Sequence, residues 1–437
     1  MSQLLKPKQQ LKLDANAPCQ VEHFLGGGGQ GEVYQINLNG QPSALKWYFP
    51  AQATPEQREA LEILIKKGAP NGNFLWPSHL MTAANITGFG YLMPIRPSHY
   101  KSIVDLMKRR VEPTFRAVIT ACMELAHSFL QLHAKGLCYR DISFGNVFFD
   151  PQLGAILICD NDNVTVDGQG HIGVLGTPRF MAPEIVRGEA LPSTQTDLFS
   201  LAVLLFYMLF LHHPLEGKKE AQIKCFDLPA MNKLYGTEPL FIFDPQDIAN
   251  RPIPGLHDNA ILYWPIYPQF LREMFINAFT RGLRDPQHGR VRESEWRAVL
   301  VQLRDSIIYC NQCGAENFYD TELFNSKGQL NPCWSCQKTL VIPPRIQIDK
   351  QIIALNHDTQ LFPHHLDSQK SYDFSKSVAT VARHPQNPRL WGLKNLSPEK
   401  WVLTKIDGKM MEVMPGQSAK LDKEITIQFG KTTGKIL

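Results

Sequence analysis

The order of apolar and polar residues indicates an early part of mixed strands and helices and a late part built of strands. The segments VYQINL and SALKWY are strand-like and flank Asn39-Gly40, a dipeptide typical of a two-residue β-hairpin turn. The run LFSLAVLLFYMLFL, from Leu198 to Leu211, is apolar on all sides. It is too short to span a membrane comfortably and is followed by two histidines and a proline, so it predicts a helix buried in a core.

The C-terminal part alternates between apolar and polar residues, which is the pattern of half-buried strands. The segment WVLTKI is followed by Asp407-Gly408, a hairpin signal, and then by KMMEV and ITIQF. We predict a small β-sandwich here, with a small β-barrel as the alternative. The stretch from Ile425 to Gly430 resembles the closing strand of forkhead-associated domains, which read phosphothreonine. Arg383 is the candidate for that role, and a docking module without phosphopeptide binding is the other interpretation.

These changes of pattern predict three domains. The first covers residues 1–305, and the second, 306–342, is a polar, turn-rich segment that carries two cysteine pairs. The third, 343–437, starts at Pro343-Pro344, where two prolines favour an extended link.

Composition restricts the class of protein. Of the 437 residues, 43% are hydrophobic and 20% are charged, which is typical of globular proteins and excludes a disordered, collagen-like or coiled-coil chain. The net charge of +4 is too small to argue for a nucleic-acid or membrane partner. The first residues lack the long apolar core of a secretion signal, so we expect a cytoplasmic protein with reduced cysteines.

A glycine-rich segment early in the chain is a candidate phosphate site. It reads Gly26-x-Gly28-x-x-Gly31-x-Val33, and glycines let backbone N–H groups approach phosphate oxygens closely. A flexible loop would have the same composition. The segment continues into the predicted hairpin rather than into a helix, which disfavours a dinucleotide fold. Lys46, on the second strand of that hairpin, can neutralise phosphate charge or be a solvated surface lysine.

Carboxylate and amide side chains suited to a metal-bound nucleotide follow later. Asp141 and Asn146 share one short polar segment, and Asp160 ends the apolar stretch ILIC. Oxygen atoms of this kind are the ligands that Mg²⁺ prefers. Each acidic position alone is more often a polar turn, but the order of glycine loop, lysine, Asp–Asn pair and Asp is not expected by chance.

This ordered set resembles the bacterial, eukaryotic-like (Hanks-type) Ser/Thr protein kinases. The segment from Gly176 to Glu184 matches the end of a kinase activation segment, and Asp197 matches the Asp that opens the buried helix of the large lobe. Arg290 matches the late Arg that pairs with Glu184. The resemblance covers about residues 20–305 and implies an α+β, bilobal kinase fold, with the small lobe ending near residue 95.

The resemblance also implies roles for individual residues. Asp141 accepts the substrate proton, and Asn146 and Asp160 hold Mg²⁺ or Mn²⁺. A carboxylate on the helix after Lys46 holds that lysine; we favour Glu59 over Glu62, although either can lie on a solvated face. The residues expected to bind ATP, with Met93 as gatekeeper of the adenine site, are Gly26, Gly28, Gly31, Val33, Ala44, Lys46, Met93 and Arg96.

Three positions depart from the kinase pattern. Tyr139 replaces a histidine, Ser143 stands where Ser/Thr kinases place a lysine near the γ-phosphate, and Asn161-Asp162 replaces Phe-Gly. Loss of the lysine removes charge near the transferred phosphate, so we predict a slow enzyme. The alternative is a pseudokinase scaffold that binds nucleotide or partners without transfer. Asp162 can serve a second metal or be the first metal ligand itself.

A narrower resemblance concerns Tyr235–Asp244, Asn250-Arg251-Pro252 and the stretch from Phe275 to Gly282. These segments are similar to kinases of tellurite-resistance-type operons, which accompany a metal-dependent phosphatase and a von Willebrand A-type protein. The resemblance implies that the phosphatase reverses the phosphorylation and that the von Willebrand A-type protein is a possible substrate. An inserted loop that packs aromatic residues is the other interpretation.

Two Cys-x-x-Cys pairs predict a zinc ribbon. Cys310 with Cys313, and Cys333 with Cys336, have the spacing of a tetrahedral thiolate site, and the absence of an open ligand position indicates structural zinc. Disulfides and free thiols are the alternatives, and a reducing compartment disfavours the disulfides.

Overall fold

The structure, a computed structural model, describes residues 3–13, 18–83, 86–168, 175–384 and 387–437. The chain forms two compact units. One contains Met1–Trp264 and Glu273–Ala298, and the other contains Pro265–Arg272 and Val299–Leu437.

The first unit begins with a closed antiparallel barrel of strand order β1-β2-β3-β4-β6-β5. Its strands are β1 (Gln10–Leu13), β2 (Pro18–Gly27), β3 (Gly31–Leu38), β4 (Gln41–Tyr48), β5 (His79–Ala83) and β6 (Ile86–Met93). Leu38 pairs with Gln41, which confirms the two-residue turn predicted at Asn39-Gly40. Gly40 has a φ of +82°, the left-handed conformation that such a turn requires.

One helix accompanies the barrel. Helix α1 (Pro55–Lys67) begins after Thr54, whose hydroxyl accepts a hydrogen bond from the Gln57 N–H at 3.2 Å. It ends at Gly68, where a φ of +68° stops the helix. Leu61 and Leu64 are its buried residues, so the inward face of α1 is set by their spacing.

Helices and short strands form the rest of the first unit. The strands are β7 (Lys101–Ser102), β8 (Leu137–Cys138), β9 (Val147–Phe149), β10 (Ile156–Ile158) and β11 (Thr165–Val166). The helices are α2 (Ile103–Met107), α3 (Phe115–Ala134), α4 (Pro183–Val186), α5 (Thr194–Phe210), α6 (Lys218–Ala221), α7 (Leu228–Met231), α8 (Asp258–Tyr263), α9 (Gln269–Phe279), α10 (Arg281–Arg284) and α11 (Glu293–Asp305). Of these, α9 and α11 also contain residues of the second unit. A 3₁₀ turn spans Asn161–Asn163, and a π-helical turn spans Asn232–Thr237.

Helix α5 contains most of the long apolar run. Every residue from Thr196 to Phe210 is buried, which confirms the prediction of a core helix. Among the described residues, no helix combines the length and the apolar character that crossing a membrane would require.

The ion pair expected between Glu184 and Arg290 is present. The Arg290 guanidinium donates to the two Glu184 oxygens at 2.6 and 2.8 Å and to the Gln195 carbonyl at 2.6 Å. The side chain of Arg290 is 3% exposed. Through this pair and the Gln195 carbonyl, Arg290 connects α4 to the start of α5.

Removal of Arg290 should destabilise the first unit strongly. Arg290→Met leaves the Glu184 carboxylate buried without its partner, so we expect the free energy of unfolding to fall by about 3–5 kcal/mol. Arg58→Met, which breaks an exposed pair with Glu62, is the control and should cost less than about 1 kcal/mol. Urea denaturation measures both, and equal losses would contradict the prediction.

The second unit contains a small hairpin and a two-sheet sandwich. The hairpin pairs β12 (Ile307–Tyr309) with β13 (Glu316–Phe318), and α12 (Thr321–Lys327) follows. The remaining elements are β14 (Arg345–Ile348), β15 (Gln351–Ala354), β16 (Gln360–Leu361), α13 (Pro363–Leu366), β17 (Ala379–His384), β18 (Asn387–Asn395), β19 (Trp401–Thr404), β20 (Met410–Val413), β21 (Ser418–Lys420), β22 (Thr426–Phe429) and β23 (Thr432–Ile436).

The sandwich consists of a six-stranded sheet, β15-β14-β23-β22-β19-β20, and a four-stranded sheet, β16-β17-β18-β21. Apolar residues of both sheets, Trp401 and Leu393 among them, form one core. Thr404 pairs with Met410 across the predicted Asp407-Gly408 turn. The forkhead-associated relationship stays a prediction. Arg383 is exposed, and its guanidinium lies 4.6 Å from the centre of the Trp391 ring.

Candidate active site

The glycine-rich loop joins β2 to β3 at a sharp bend. The Gly28 N–H donates to the Gly31 carbonyl at 2.9 Å, which closes the bend. A Cβ at Gly31 would lie 2.2 Å from the Trp47 carbonyl oxygen, so only glycine fits there. At Gly26 and Gly28, no described atom lies within 4 Å of a Cβ position, and the backbone there remains approachable.

Lys46 is buried at the centre of the site. Its Nζ donates to the Gln30 side-chain oxygen at 2.9 Å, to Asp162 at 2.8 and 3.0 Å, and to Asp160 at 3.5 Å. Burial disfavours the ammonium, but the charges of Asp162 and Asp160 outweigh burial and raise the pKa of Lys46. Gln30 also donates to the Asn163 side chain at 3.1 Å, so the tip of the glycine loop bridges to the segment after Asp160. Sequence reasoning did not identify Gln30.

Asp162 is the fully buried partner of Lys46. It also accepts hydrogen bonds from the hydroxyls of Tyr48 at 2.6 Å and Tyr91 at 2.9 Å. Burial alone would raise the pKa of Asp162, but the Lys46 charge and these hydrogen bonds lower it. Protein donors thus reach both oxygens of Asp162, which favours Asp160 over Asp162 as the metal ligand; a metal role for Asp162 stays a prediction.

The helix carboxylates that we expected to hold Lys46 lie elsewhere. Glu59 and Glu62 are exposed, and Glu62 pairs with Arg58 at 3.2 Å. Ile63, the apolar residue one turn after Glu59, is 41% exposed, so this side of α1 faces solvent. Among the described contacts of Lys46, the carboxylates come from Asp160 and Asp162, and neither comes from α1.

The loop between β8 and β9 brings Asp141 and Asn146 together. The Asn146 amide donates to the Asp141 carboxylate at 3.0 Å and to its carbonyl at 2.8 Å. The Thr177 hydroxyl donates to the other Asp141 oxygen at 2.7 Å. Because the amide nitrogen of Asn146 is turned to Asp141, its amide oxygen is the atom that can bind a metal.

Buried groups below the loop fix its conformation. Asp197, at the start of α5, accepts hydrogen bonds from the backbone N–H groups of Tyr139 and Arg140. The Tyr139 hydroxyl donates to the Cys159 carbonyl, next to Asp160. Tyr139 therefore links the Asp141 loop to the Asp160 strand in spite of its departure from the kinase pattern.

Asp197 is itself held by a buried histidine. His133 contacts Asp197 at 3.1 Å through Nε2 and contacts Glu293 through Nδ1. Burial disfavours the imidazolium, but the hydrogen bonds to these two carboxylates raise the pKa of His133 to about 9. His133 is therefore a cation at neutral pH and supports the Asp141 loop through Asp197.

This cation should make stability depend on alkaline pH. The folded pKa of about 9 exceeds the ordinary value of 6.5, so the stabilisation is complete below pH 6.5 and is lost as the pH rises through 9. We expect the difference in unfolding free energy between wild type and His133→Gln to shrink by roughly 3 kcal/mol from about pH 6 to about pH 10. Urea denaturation at each pH tests this, and a constant difference would contradict it.

Asp160 is the more exposed of the two carboxylates that contact Lys46. It lies two residues after the end of β10 in a left-handed conformation, with a φ of 47°, and its side chain is 44% exposed. Burial and the charges of Asp162 and Asp141 raise its pKa, and Lys46 opposes them. The N–H of its neighbour Cys159 donates to the Asn146 carbonyl at 2.8 Å, which brings the segment of Asp160 to the Asn146 loop. Carboxylate and amide oxygens are ligands that suit Mg²⁺ or Mn²⁺.

Apolar residues expected at the adenine site share one core. Val33, Ala44 and Met93 belong to it, and Leu157 from β10 joins them. Ala44 pairs with Met93 across β4 and β6, whereas Lys46 pairs with Tyr91. Leu157 could have been found from its position in the apolar strand before Asp160.

Arg96 lies after β6 and is exposed. Its guanidinium lies 4.1 Å from the centre of the Phe148 ring and donates to the Tyr100 carbonyl at 2.9 Å. The Arg96 side chain therefore packs on Phe148 of β9. We expect the backbone N–H of Arg96, and not its side chain, to bind the nucleobase.

The four ribbon cysteines converge in the second unit. The sulfur atoms of Cys310 and Cys336 are 3.6 Å apart, and those of Cys313 and Cys333 are 3.7 Å apart. These distances are too long for disulfides and match the edge of about 3.8 Å expected for a zinc tetrahedron with Zn–S bonds of about 2.3 Å. Asn317 donates to the Cys333 sulfur at 3.5 Å. The cluster is compatible with zinc.

A second group, Asp305, His364 and His365, is a hydrogen-bonded cluster instead. His365 Nδ1 accepts from the Phe362 N–H at 2.8 Å, so its Nε2 carries the proton and donates to Asp305 at 3.2 Å. Of the two histidines, His364 alone has a ring nitrogen free to bind metal, because its Nδ1 donates to the Asp373 carbonyl. One nitrogen and one carboxylate do not make a complete metal site.

Comparison with known proteins supports the resemblance. A family model described as a protein kinase domain matches residues 19–250. The chain is 28% identical over 201 residues to a probable serine/threonine-protein kinase, CCRP1, of Zea mays, which covers 44% of this chain and 31% of that protein. It is 27% identical over 207 residues to the serine/threonine-protein kinase PknK of Mycobacterium tuberculosis, which covers 46% of this chain and 18% of that protein.

A third relative is the cell cycle serine/threonine-protein kinase CDC5/MSD2 of Saccharomyces cerevisiae. It is 28% identical over 220 residues, which cover 47% of this chain and 30% of that protein. The chain thus spans less than a third of the length of each of these relatives.

Proposed function

Because the chain belongs to the protein kinase family, we propose that it transfers the γ-phosphate of ATP to serine or threonine hydroxyls of itself and of a partner protein. One observation carries the proposal: a buried lysine, two carboxylates and an amide side chain lie on segments that are joined by hydrogen bonds, among them the bond from the Cys159 N–H to the Asn146 carbonyl at 2.8 Å. Lys46 lies 3.5 Å from Asp160, and Asn146 bonds Asp141 at 3.0 Å. Phosphoryl transfer requires these groups together.

Each residue has one role in this proposal. Lys46 neutralises the α- and β-phosphates, and the glycine loop offers its N–H groups to the phosphates. Asp141 accepts the proton of the attacking hydroxyl. Hydrogen bonds from Thr177 and Asn146 orient the Asp141 carboxylate for this step. Asn146 and Asp160 hold Mg²⁺ or Mn²⁺, which supplies positive charge to the phosphate oxygens when bound.

Ser143 lowers the expected rate. It is buried, and no ammonium stands at this position to stabilise the charge of the transferred group. We therefore propose a slow kinase, because electrostatic stabilisation supplies most of the catalysis in this reaction.

Incubation of the purified chain with γ-labelled ATP and Mg²⁺ tests the function. We expect label on serine or threonine of the chain itself and of an added acceptor such as casein. Absence of transfer with both Mg²⁺ and Mn²⁺, at every metal concentration, would refute the proposal.

We propose that the second unit recruits partners and that its four cysteines hold one structural zinc. The sulfur–sulfur distances of 3.6 and 3.7 Å support the zinc, and the retention of four thiolates suits a cytoplasmic location. We also propose that the chain divides into domains at residues 1–305, 306–342 and 343–437, and that the third domain is related to forkhead-associated domains.

The partners are proposed from resemblance alone. A metal-dependent phosphatase would reverse the phosphorylation, a von Willebrand A-type protein would be the substrate, and a tellurite-resistance-type operon would encode all three. Phosphosite mapping of the three proteins expressed together tests this set. Label confined to the kinase would exclude the proposed substrate.

A further inference from the structure

The carboxylate closest to the Lys46 ammonium is that of Asp162, two residues after Asp160. The side chain of Asp162 is 0% exposed and takes two contacts from the Lys46 Nζ, at 2.8 and 3.0 Å. The contact between Lys46 and Asp160 is longer, at 3.5 Å. A buried charge is stable when it is both paired and hydrogen-bonded, and Asp162 meets both conditions.

Helix α1 reaches this carboxylate through neutral groups. Gln57 lies on the same face of the helix as Leu61 and Leu64, at a spacing of about one and two turns. Its amide donates to the Tyr48 hydroxyl at 3.0 Å, and this hydroxyl donates to Asp162 at 2.6 Å. Helix α1 therefore contributes the neutral amide of Gln57, where the kinase resemblance implies a carboxylate that pairs with Lys46.

We propose, on the basis of the proposed kinase function, that Asp162 is the residue that positions Lys46 for the phosphates of ATP. Tyr48 and Tyr91 fix the Asp162 carboxylate, and the carboxylate fixes the lysine. The position of Lys46 is then set by the segment that carries Asp160 and does not depend on a carboxylate of α1.

Asp162 also keeps Lys46 from competing for the metal-binding carboxylate. Without Asp162, Asp160 is the remaining carboxylate among the described contacts of Lys46. The buried ammonium would then draw Asp160 into a closer pair. That pairing would take oxygen atoms from the metal and displace Lys46 from the phosphates.

Asp162→Asn tests the proposal through the metal dependence of the reaction. We expect kcat to fall by about 10²-fold, similar to the loss of one preorganised electrostatic group, and the Mg²⁺ concentration for half-maximal rate to rise at least fivefold. A structural role alone would lower the melting temperature and the active fraction without moving the Mg²⁺ midpoint. Asp162→Glu keeps the negative charge, so its kcat should be at least tenfold higher than that of Asp162→Asn.

Asp150→Asn is the matched control. Asp150 is also buried and caps the turn after β9 through the Gln152 N–H at 2.8 Å, but it does not contact Lys46. We expect it to lower the melting temperature while kcat and the Mg²⁺ midpoint stay within twofold of wild type. Glu59→Gln is the competing variant, and a loss of activity there with a wild-type rate in Asp162→Asn would overturn the proposal.

The outcomes separate this inference from the kinase function. A wild-type protein without transfer defeats the proposed function, whereas an active wild type with an unchanged Asp162→Asn variant defeats only the positioning role. If Asp162→Asn does not fold, Tyr91→Phe serves instead, since it removes one bond that fixes Asp162. A threefold or larger fall of kcat at unchanged KM for ATP is then expected, and a wild-type kcat would overturn the proposal.

Discussion

Asp141→Asn should lower the rate of phosphoryl transfer by about 10²–10⁴-fold, the usual contribution of a positioned general base. Asp141 is fixed from two sides, by the Thr177 hydroxyl at 2.7 Å and by the Asn146 amide at 3.0 Å. An asparagine keeps nearly the same shape but cannot take the substrate proton. Initial rates with labelled ATP, at saturating Mg²⁺, give the comparison.

The amide variant must still bind nucleotide. Calorimetric titration with ATP and Mg²⁺ should give one site per chain and an affinity within about tenfold of wild type, because Asp141 is not assigned to the phosphates. Asp105→Asn, which alters a cap at the start of α2 outside the site, controls for a general effect of losing a carboxylate. Phosphoryl transfer at the wild-type rate in Asp141→Asn would show that Asp141 is not the general base.

Loss of zinc should unfold the cysteine-rich hairpin. Purified without chelators, the chain should carry one zinc, and Cys333→Ser should carry about a tenth of that amount or less. Apparent binding free energies of structural zinc reach about 10–16 kcal/mol in small domains, far above what a hairpin of two three-residue strands can supply alone. Metal analysis measures the zinc, and hydrogen exchange of residues 306–342 measures the unfolding.

Cys225→Ser is the control for this experiment, since Cys225 is an exposed free cysteine outside the cluster. It should leave both zinc content and exchange rates at wild-type values. A full zinc content in Cys333→Ser, or slow exchange of the hairpin after complete removal of the metal, would contradict a structural zinc site.

Much of the fold could be predicted because it depends on short stretches of chain. The Asn39-Gly40 and Asp407-Gly408 turns and the buried helix α5 follow from local composition and periodicity, and each is present. The convergence of the four ribbon cysteines also followed from spacing, because two Cys-x-x-Cys turns have few ways to present four sulfurs.

The partner of Lys46 could not be predicted in this way. The choice of Glu59 depended on the rotation of α1, and an error of one position in the buried face moves a helical residue by about 100° around the axis. Asp162 was noticed as a departure from the kinase pattern, but its burial between Tyr48 and Tyr91 depends on strands far away in the chain.

The chemical groups available to this protein follow from its order of residues: a glycine loop, a lysine, three polar side chains suited to phosphoryl transfer and a four-cysteine cluster, each within a local motif. Which charges pair with one another depends on how the folded chain brings these groups together. Asp162 became the partner of Lys46 because folding removed it from water and left the ammonium as its counter-charge, whereas Glu59 remained solvated. Desolvation is a property of the assembled site, and the order of residues does not display it.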